Sequence, residues 1–248
     1  FMFTLAALTA SVAIPAARAQ APAVDPVAVQ TLQRMTDYTS KLHKFSLHTE
    51  STLEYWLDTG QRIDHDVAAR LTVRRPDKIR AERVGELVEQ EVYYDGRTLA
   101  FYQPSDGVYA SLPAPETIEE LIDYTREELG LVIPVEDLVY RNSFAILMQN
   151  VTRASVVGKS VIGGVTCDHL AFSRPDIDFQ IWVAAGDRPL PCKYVVTDVR
   201  TPQVSTVTVM SDWNLAPAAS DSEFEFEPPE GAKPILFIPR EGTSALDR

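Results

Sequence analysis

The fold is decided by two neighbouring stretches of the chain: residues 74–82, which read RRPDKIRAE, and residues 92–102, which read VYYDGRTLAFY. Pro76 cannot donate a backbone hydrogen bond, so it interrupts one strand and separates it from the next. Asp95-Gly96 is a two-residue hairpin signal between two runs of β-forming residues. Together the stretches predict a strand, a sharp turn, a second strand and a tight hairpin, with no obvious catalytic group among them.

Period-two patterns extend this sheet in both directions along the chain. From Ile63 to Val73 every second residue is apolar or aromatic and the residues between are mostly polar, which is typical of a strand with one buried and one solvated face. The predicted strands in the first half span residues 45–57, 63–73, 78–84, 87–94, 98–103 and 108–112. Strands return from residue 152, with further runs at 167–172, 179–183, 193–199, 204–213 and 222–226.

Helical spacing appears at the start and in the middle of the chain. Asp25-Pro26 is a helix start, because a capping side chain precedes a proline in the first turn, and it opens a predicted helix over 26–42. A second helix is predicted over 115–129, where Glu116 and Glu119 favour the positive end of the helix dipole. Shorter helical pieces are predicted at 135–140 and 142–149.

The order of these elements predicts the architecture. Short connections favour antiparallel neighbours, and roughly ten or more antiparallel strands must curl or close. We therefore predict a mainly β (α+β) fold with an antiparallel sheet of about 11 strands that curls or closes. The helices are expected to cover its concave face, where their apolar sides find a surface to pack on.

The first residues have the composition of an export signal. An apolar stretch closes on Ala17-Arg18-Ala19, a small-x-small cleavage site, and is too short to span a bilayer. The alternative is a buried N-terminal helix. We predict a signal peptide at 1–19 with a truncated n-region, a single domain at 20–238 and a flexible tail at 239–248. The mature protein is expected to be exported and soluble, with no transmembrane segment after cleavage.

The charge balance excludes one class of partner. The chain has 35 acidic and 23 basic residues and a net charge of −12. Such a chain repels phosphate backbones, so we expect no nucleic-acid partner. An apolar molecule or acyl chain remains compatible with it.

Few residues suggest covalent or metal chemistry. Cys167 and Cys192 would meet an oxidising compartment after export, which predicts a disulfide, with two separate thiols as the alternative. The histidines lack the tight spacing of a metal site, although His48 and His65 could face each other across the first hairpin. There is no nucleophile elbow. We therefore expect no catalytic residue, metal or cofactor, and no enzymatic activity.

The order of several motifs resembles one superfamily. An Arg-Pro before a basic strand, at 75–80, is followed by a strand ending in Asp-Gly at 93–96, and the chain closes with FEFEPPEGA at 224–232. This order resembles the LolA/LppX-like superfamily of periplasmic carriers of lipids and lipoproteins. Within it, three segments resemble an uncharacterised family of predicted periplasmic proteins: VTCDHLAF at 165–172, QIWV at 180–183 and GDRPLP at 186–191.

The resemblance implies a periplasmic location and an incomplete, strongly curved antiparallel β-barrel, LolA-like, with helices as a lid over an apolar cavity. In the lipoprotein carriers an arginine helps to hold the lid closed, but no single position of this sequence matches it. We expect non-covalent binding or carriage of a hydrophobic ligand, a lipid or a lipoprotein acyl chain. The alternative is a sensor or interaction module that binds another envelope protein through the same fold. The candidate cavity and lid residues are Leu47, Leu53, Val67, Leu71, Val92, Phe101, Ile118, Leu121, Ile122, Phe144 and Met148.

Overall fold

The computed structural model describes residues 23–131, 136–200 and 203–237. The predicted signal peptide and the tail at 239–248 lie outside these ranges. The strands are β1 Lys44–Trp56, β2 Arg62–Arg74, β3 Lys78–Gly85, β4 Val88–Tyr94, β5 Thr98–Gln103, β6 Val108–Pro113, β7 Arg153–Ile162, β8 Val165–Ser173, β9 Ile177–Ala184, β10 Pro191–Asp198, β11 Val204–Asn214 and β12 Lys233–Pro234. The helices are α1 Pro26–Ser40, α2 Ile118–Glu127, α3 Glu136–Val139 and α4 Ser143–Met148, with a short 3₁₀ helix at Asp221–Glu223.

The twelve strands of the described ranges belong to one sheet, in the order β12-β6-β5-β4-β3-β2-β1-β11-β10-β9-β8-β7. Each neighbouring pair is antiparallel except β12 and β6, which are parallel. The sheet is curved, and within the described ranges its two edge strands, β12 and β7, do not pair with each other. The predicted incomplete barrel of antiparallel strands is therefore confirmed.

Strand periodicity gives the sheet two different faces. Along β2 the odd-numbered residues are more buried than the even-numbered ones, and Val73 is fully buried. The register places Val73 opposite Phe45 of β1 and Ile79 of β3, so one face is apolar across neighbouring strands. We call this the inner face, and it carries the main core together with residues of all four helices.

Local capping explains where the helices begin. The Asp25 side chain accepts a 2.8 Å hydrogen bond from the Val27 N–H, and Pro26 occupies the first turn of α1. Thr117 caps α2 in the same way, accepting a 3.2 Å bond from the Glu120 N–H. Helix α1 lies against β7, β8, β9 and α4. No helix in the described part of the chain is long and apolar enough to cross a membrane.

The predicted strand at 222–226 is wrong. This segment forms the 3₁₀ helix and then an irregular stretch lying across the outer face of the sheet, opposite the helices. Phe224 is fully buried beneath the Arg74 guanidinium, 5.1 Å from its ring centre, and Phe226 packs on Tyr93 and Tyr102. The alternation of acid and aromatic residues thus reflects side-chain packing on a face whose strands are already paired.

Candidate ligand-binding cavity

An apolar cavity of about 260 Å³ lies between the inner face of β2–β6 and the helices α2 and α3. The strands contribute Leu71, Val92, Phe101 and Ala110, and α2 contributes Leu121 and Ile122. Because alternate residues of each strand face the same way, the cavity wall repeats the inner-face parity from β2 to β6. The lining is mainly apolar, with Arg83, Gln90, Gln103 and Glu136 among its polar side chains.

The structure brings together five of the sequence-predicted site residues. Leu71, Val92, Phe101, Leu121 and Ile122 all line the cavity. No ligand is present to test these contacts, so their role in binding stays a prediction.

The other predicted site residues lie elsewhere on the helix-covered side of the sheet. Leu47 borders a smaller apolar space of about 20 Å³ beside Met210. Ile118 is fully buried in the core, and Phe144 and Met148 pack on the core from α4. Leu53 and Val67 are partly buried on the inner face and do not line the cavity.

Several lining residues were missed in the sequence. Ala81, Tyr94 and Leu99 share the parity of Val92 and Phe101 through the strand register, so extending the alternation across β3–β5 would have found them. Phe237 carries no such signal, because it reaches the cavity only after the chain has crossed the outer face.

The C-terminal segment returns to the cavity along the β6 edge. Lys233 and Pro234 pair with Val108 and Tyr109, and the chain then places Phe237 against the cavity wall. The rings of Phe237 and Phe101 are stacked, with centroids 5.7 Å apart. The cavity is therefore closed on this side by a residue from the end of the domain.

The first lid helix is fixed to the sheet at its start. The Ile118 N–H donates a 2.9 Å hydrogen bond to the Pro76 carbonyl, and the buried Tyr94 hydroxyl donates a 2.5 Å bond to the Pro115 carbonyl. Burial raises the pKa of Tyr94, and nearby carboxylates add to the shift. The hydroxyl therefore keeps its proton and remains a donor to the segment that leads into α2.

Polar contacts also join α2 to α3. The Arg126 Nε donates a 2.9 Å hydrogen bond to Glu136, which is buried, and the Tyr140 hydroxyl donates a 2.6 Å bond to Asp123. The first pair connects α2 to α3, and the second connects α2 to the residue that follows α3. The lid therefore has internal contacts in addition to those with the sheet.

Two arginines link the sheet to the shorter lid helices. The buried Arg75 donates from Nη2 to the Val139 carbonyl at 2.5 Å, and its Nη1 lies 3.4 Å from Glu119. Arg174 donates from Nη2 to the carbonyls of Ile146 and Leu147, at 2.9 and 2.8 Å. Burial lowers the pKa of Arg75, and the Glu119 charge opposes that shift. The two arginines therefore connect the ends of β2 and β8 to α2, α3 and α4.

One family matches most of this chain. The family described as "Predicted periplasmic protein (DUF2092)" matches residues 28–238. The chain belongs to the DUF2092 family. This confirms the uncharacterised periplasmic family indicated by the sequence motifs, and the expected periplasmic location with it.

Comparison with solved structures finds distant likenesses for this DUF2092 protein. LppX, a lipoprotein of Mycobacterium tuberculosis, is 16% identical with a TM-score of 0.45, over 77% of this chain and 96% of that one. A LolA superfamily protein from Nitrosomonas europaea is 13% identical with a TM-score of 0.40, over 80% and 97%. The MucA/MucB complex of Pseudomonas aeruginosa contains a chain that is 15% identical with a TM-score of 0.42, over 81% and 61%. No curated protein matches the sequence.

The cysteines of the DUF2092 protein lie outside the cavity. Cys167 and Cys192 are both buried in a small cluster with Trp182 on the outer face, and their sulfur atoms are 2.7 Å apart. Both are recorded as free thiols, so the disulfide stays a prediction. Burial raises the pKa of each thiol, which lowers its reactivity as a nucleophile.

The alternative of a histidine metal site on the first hairpin is wrong. His48 pairs in register with Arg70, whereas His65 pairs with Leu53, so the two imidazoles lie on opposite faces of the sheet. In the described ranges, no group of three or more His, Cys, Asp or Glu side chains could hold a metal ion.

Proposed function

We propose that this DUF2092 protein binds an apolar molecule non-covalently beneath its lid and carries it in the periplasm. The observation that carries the proposal is the apolar cavity of about 260 Å³ between the sheet and α2. Unfilled apolar space lowers the stability of a fold, because its lining loses packing contacts. We therefore explain this cavity, which lies between five strands and a helix, as a binding site for an apolar ligand.

Burial of apolar surface supplies the driving force. Each methylene group removed from water contributes about 0.8 kcal/mol, so even a short acyl chain gains substantial free energy in this cavity. Release requires α2 and α3 to move away from the sheet. The hydrogen bonds of Arg75 and Tyr94 to lid backbone oppose that movement and set its free-energy cost.

Two variants, each replacing an alanine with phenylalanine, test the proposal. Ala81 lines the cavity from β3, whereas Ala68, on the adjacent strand β2, is exposed on the outer face. Delipidated protein is titrated with a fluorescent fatty acid, and molecules extracted from native protein are identified by mass spectrometry. We expect saturable uptake by wild-type protein, loss of uptake in Ala81→Phe and normal uptake in the matched control Ala68→Phe.

The second candidate is an interaction module that binds another envelope protein. One observation favours it: apolar side chains are exposed at the tips of the β1–β2 and β3–β4 hairpins, including Tyr55 at 56% and Leu87 at 72%. Exposed apolar surface is typical of protein-binding sites when it forms one patch. Absence of saturable uptake, together with co-purification of one specific protein, would replace the carrier proposal with this one.

A further inference from the structure

An arginine faces the apolar cavity from the middle of the sheet. Arg83 of β3 lines the cavity and pairs in register with Ala69 on one side and Gln90 on the other. The side chains before it on the same face are apolar, since Ala81 and Ile79 also line the cavity. Arg83, Gln90 and Gln103 therefore form a polar end to an otherwise apolar container.

The hydrogen-bond partner of this guanidinium is neutral. Arg83 Nη1 donates a 3.3 Å hydrogen bond to the Gln90 side-chain oxygen, and no carboxylate in the described ranges lies within ion-pair distance of it. The buried Arg75 and the partly buried Arg80 and Arg126 each have at least one acidic partner. The partly buried Arg174 donates to two backbone carbonyls instead. Among the described residues, Arg83 is thus a cation that faces an apolar space and has no acidic partner.

The nearby acids are engaged elsewhere. Glu136 also lines the cavity, but it is ion-paired with Arg126. Glu82 and Glu91 face the outer side of the sheet, where both contact Arg80. Glu86 accepts a 2.8 Å hydrogen bond from the Asp66 N–H. Each of these four carboxylates therefore already has a partner other than Arg83.

Removing a guanidinium from water without a counterion is costly, and burial lowers the pKa of Arg83. An anion at this position offsets the cost. The planar guanidinium donates two parallel hydrogen bonds to a carboxylate or phosphate, a geometry that lysine cannot reproduce. The Gln90 amide can donate to the same anion while its oxygen accepts from Arg83.

We propose that the ligand is an amphiphile with an acidic head group, whose carboxylate or phosphate binds Arg83 and Gln90 while its chain lies under the lid. The inference rests on the proposed function and specifies its ligand class. The chain would pack against Val92 and Phe101, which extend from Gln90 along the inner face of β4 and β5.

Ligands that share a chain and differ in head group test this inference. Dodecanoate, dodecyl phosphate and dodecanol each compete with Nile red, a neutral probe, for delipidated protein. The variants are Arg83→Met and, as a control with the same charge change, Arg188→Met, since Arg188 is exposed in the β9–β10 connection. Arg83→Lys keeps the positive charge but removes the planar guanidinium that donates two parallel hydrogen bonds.

Wild-type protein and Arg188→Met are expected to prefer both acidic ligands over dodecanol by about tenfold or more, the effect of one hydrogen bond to a charged group. Arg83→Met should lose this preference while binding dodecanol as before, and Arg83→Lys should retain part of it. Inorganic phosphate alone should not displace the probe. Displacement by it would identify a free-anion site and overturn the inference.

Two results separate this inference from the proposed function. Equal binding of the acidic ligands and dodecanol to wild-type protein would overturn the acidic head group and leave the apolar carrier intact. Failure of every ligand and of Nile red to bind would overturn both. Thermal unfolding of each variant establishes that the compared proteins are folded.

Discussion

Arg75 and Val139 are joined by a 2.5 Å hydrogen bond from the guanidinium Nη2 to the carbonyl oxygen, which ties the end of β2 to helix α3. The arginine side chain is almost fully buried, at 1% exposed, and it also contacts Glu119 of α2. A single side chain therefore connects the sheet to two lid helices. Opening the lid has to break this contact or carry the arginine with it.

Replacing Arg75 with methionine should loosen the lid. The substitution keeps much of the apolar stem but removes the charged donors, so we expect the free energy of unfolding to fall by about 2 kcal/mol. Hydrogen exchange in peptides covering residues 136–148 should accelerate more than exchange in β9 and β10. Arg97→Met is the control, because Arg97 is exposed at a turn. Uniform acceleration over the whole sheet would contradict a lid-specific role.

Arg174 should have a separate effect on α4. Its guanidinium donates to the carbonyls of Ile146 and Leu147 at the end of that helix. Arg174→Met is expected to cost about 1.5 kcal/mol and to increase exchange in 143–149 before 136–139. Arg153→Met, an exposed substitution on β7, is the comparison. If Arg174→Met and Arg75→Met give the same exchange pattern, the two contacts do not hold different helices.

Phe237 should control access to the cavity from the β6 edge. Phe237→Ala removes the ring that stacks on Phe101, so we expect faster uptake of an apolar probe in stopped-flow measurements. The lost aromatic pair should lower stability by about 1 kcal/mol. Leu236→Ala is the matched control, because Leu236 is 87% exposed. Unchanged uptake by Phe237→Ala would show that the ring does not obstruct entry.

The attachment of the C-terminal segment should depend on pH. Arg74 pairs with Asp221, and its side-chain hydrogen bond and charge hold the pKa of that carboxyl below its ordinary value. Because the pKa is lower in the folded state than in the unfolded state, where it is about 3.9, the ion pair stabilises the fold above that pH. This stabilisation is lost as the pH falls through the folded-state pKa.

Asp221→Asn should therefore be less stable than wild-type protein near neutral pH, with the difference shrinking in acid below about pH 3.9. Urea unfolding near neutral pH and in acid measures this difference in the free energy of unfolding. The effect should be small, because the pair is exposed. Asp187→Asn, at an exposed loop position, should show no such trend. A difference that persists or grows in acid would contradict the ion-pair explanation.

Cys167 and Cys192 should form a disulfide in protein exported to the periplasm. Their side chains are neighbours on the outer face, and the compartment is oxidising. Thiol titration of denatured, unreduced protein should find no free cysteine. The double variant Cys167→Ala/Cys192→Ala should be less stable than oxidised protein by about 3 kcal/mol. Two titratable thiols in freshly exported protein would favour the alternative of separate cysteines.

Much of the fold was readable from the sequence because its signals are local. The alternation along β2, the cap at Asp25 and the hairpin at Asp95-Gly96 each depend on residues a few positions apart. The error at 222–226 arose because alternation records which side chains are buried but not which backbone groups pair. Phe224 and Phe226 are covered by a sheet face and form no strand.

The sequence by itself determined the curved antiparallel sheet, the helical insert and the family. Only the tertiary structure decided which apolar residues surround empty space. Leu71 lines the cavity, whereas Ile118 is fully buried in the core and does not line it. It also decided that Arg83 faces that space while Glu82 and Glu91 turn to Arg80 on the other side. The physical reason is that parity is a local property of a strand, whereas cavities and charge pairing depend on the side chains that distant segments bring to each face.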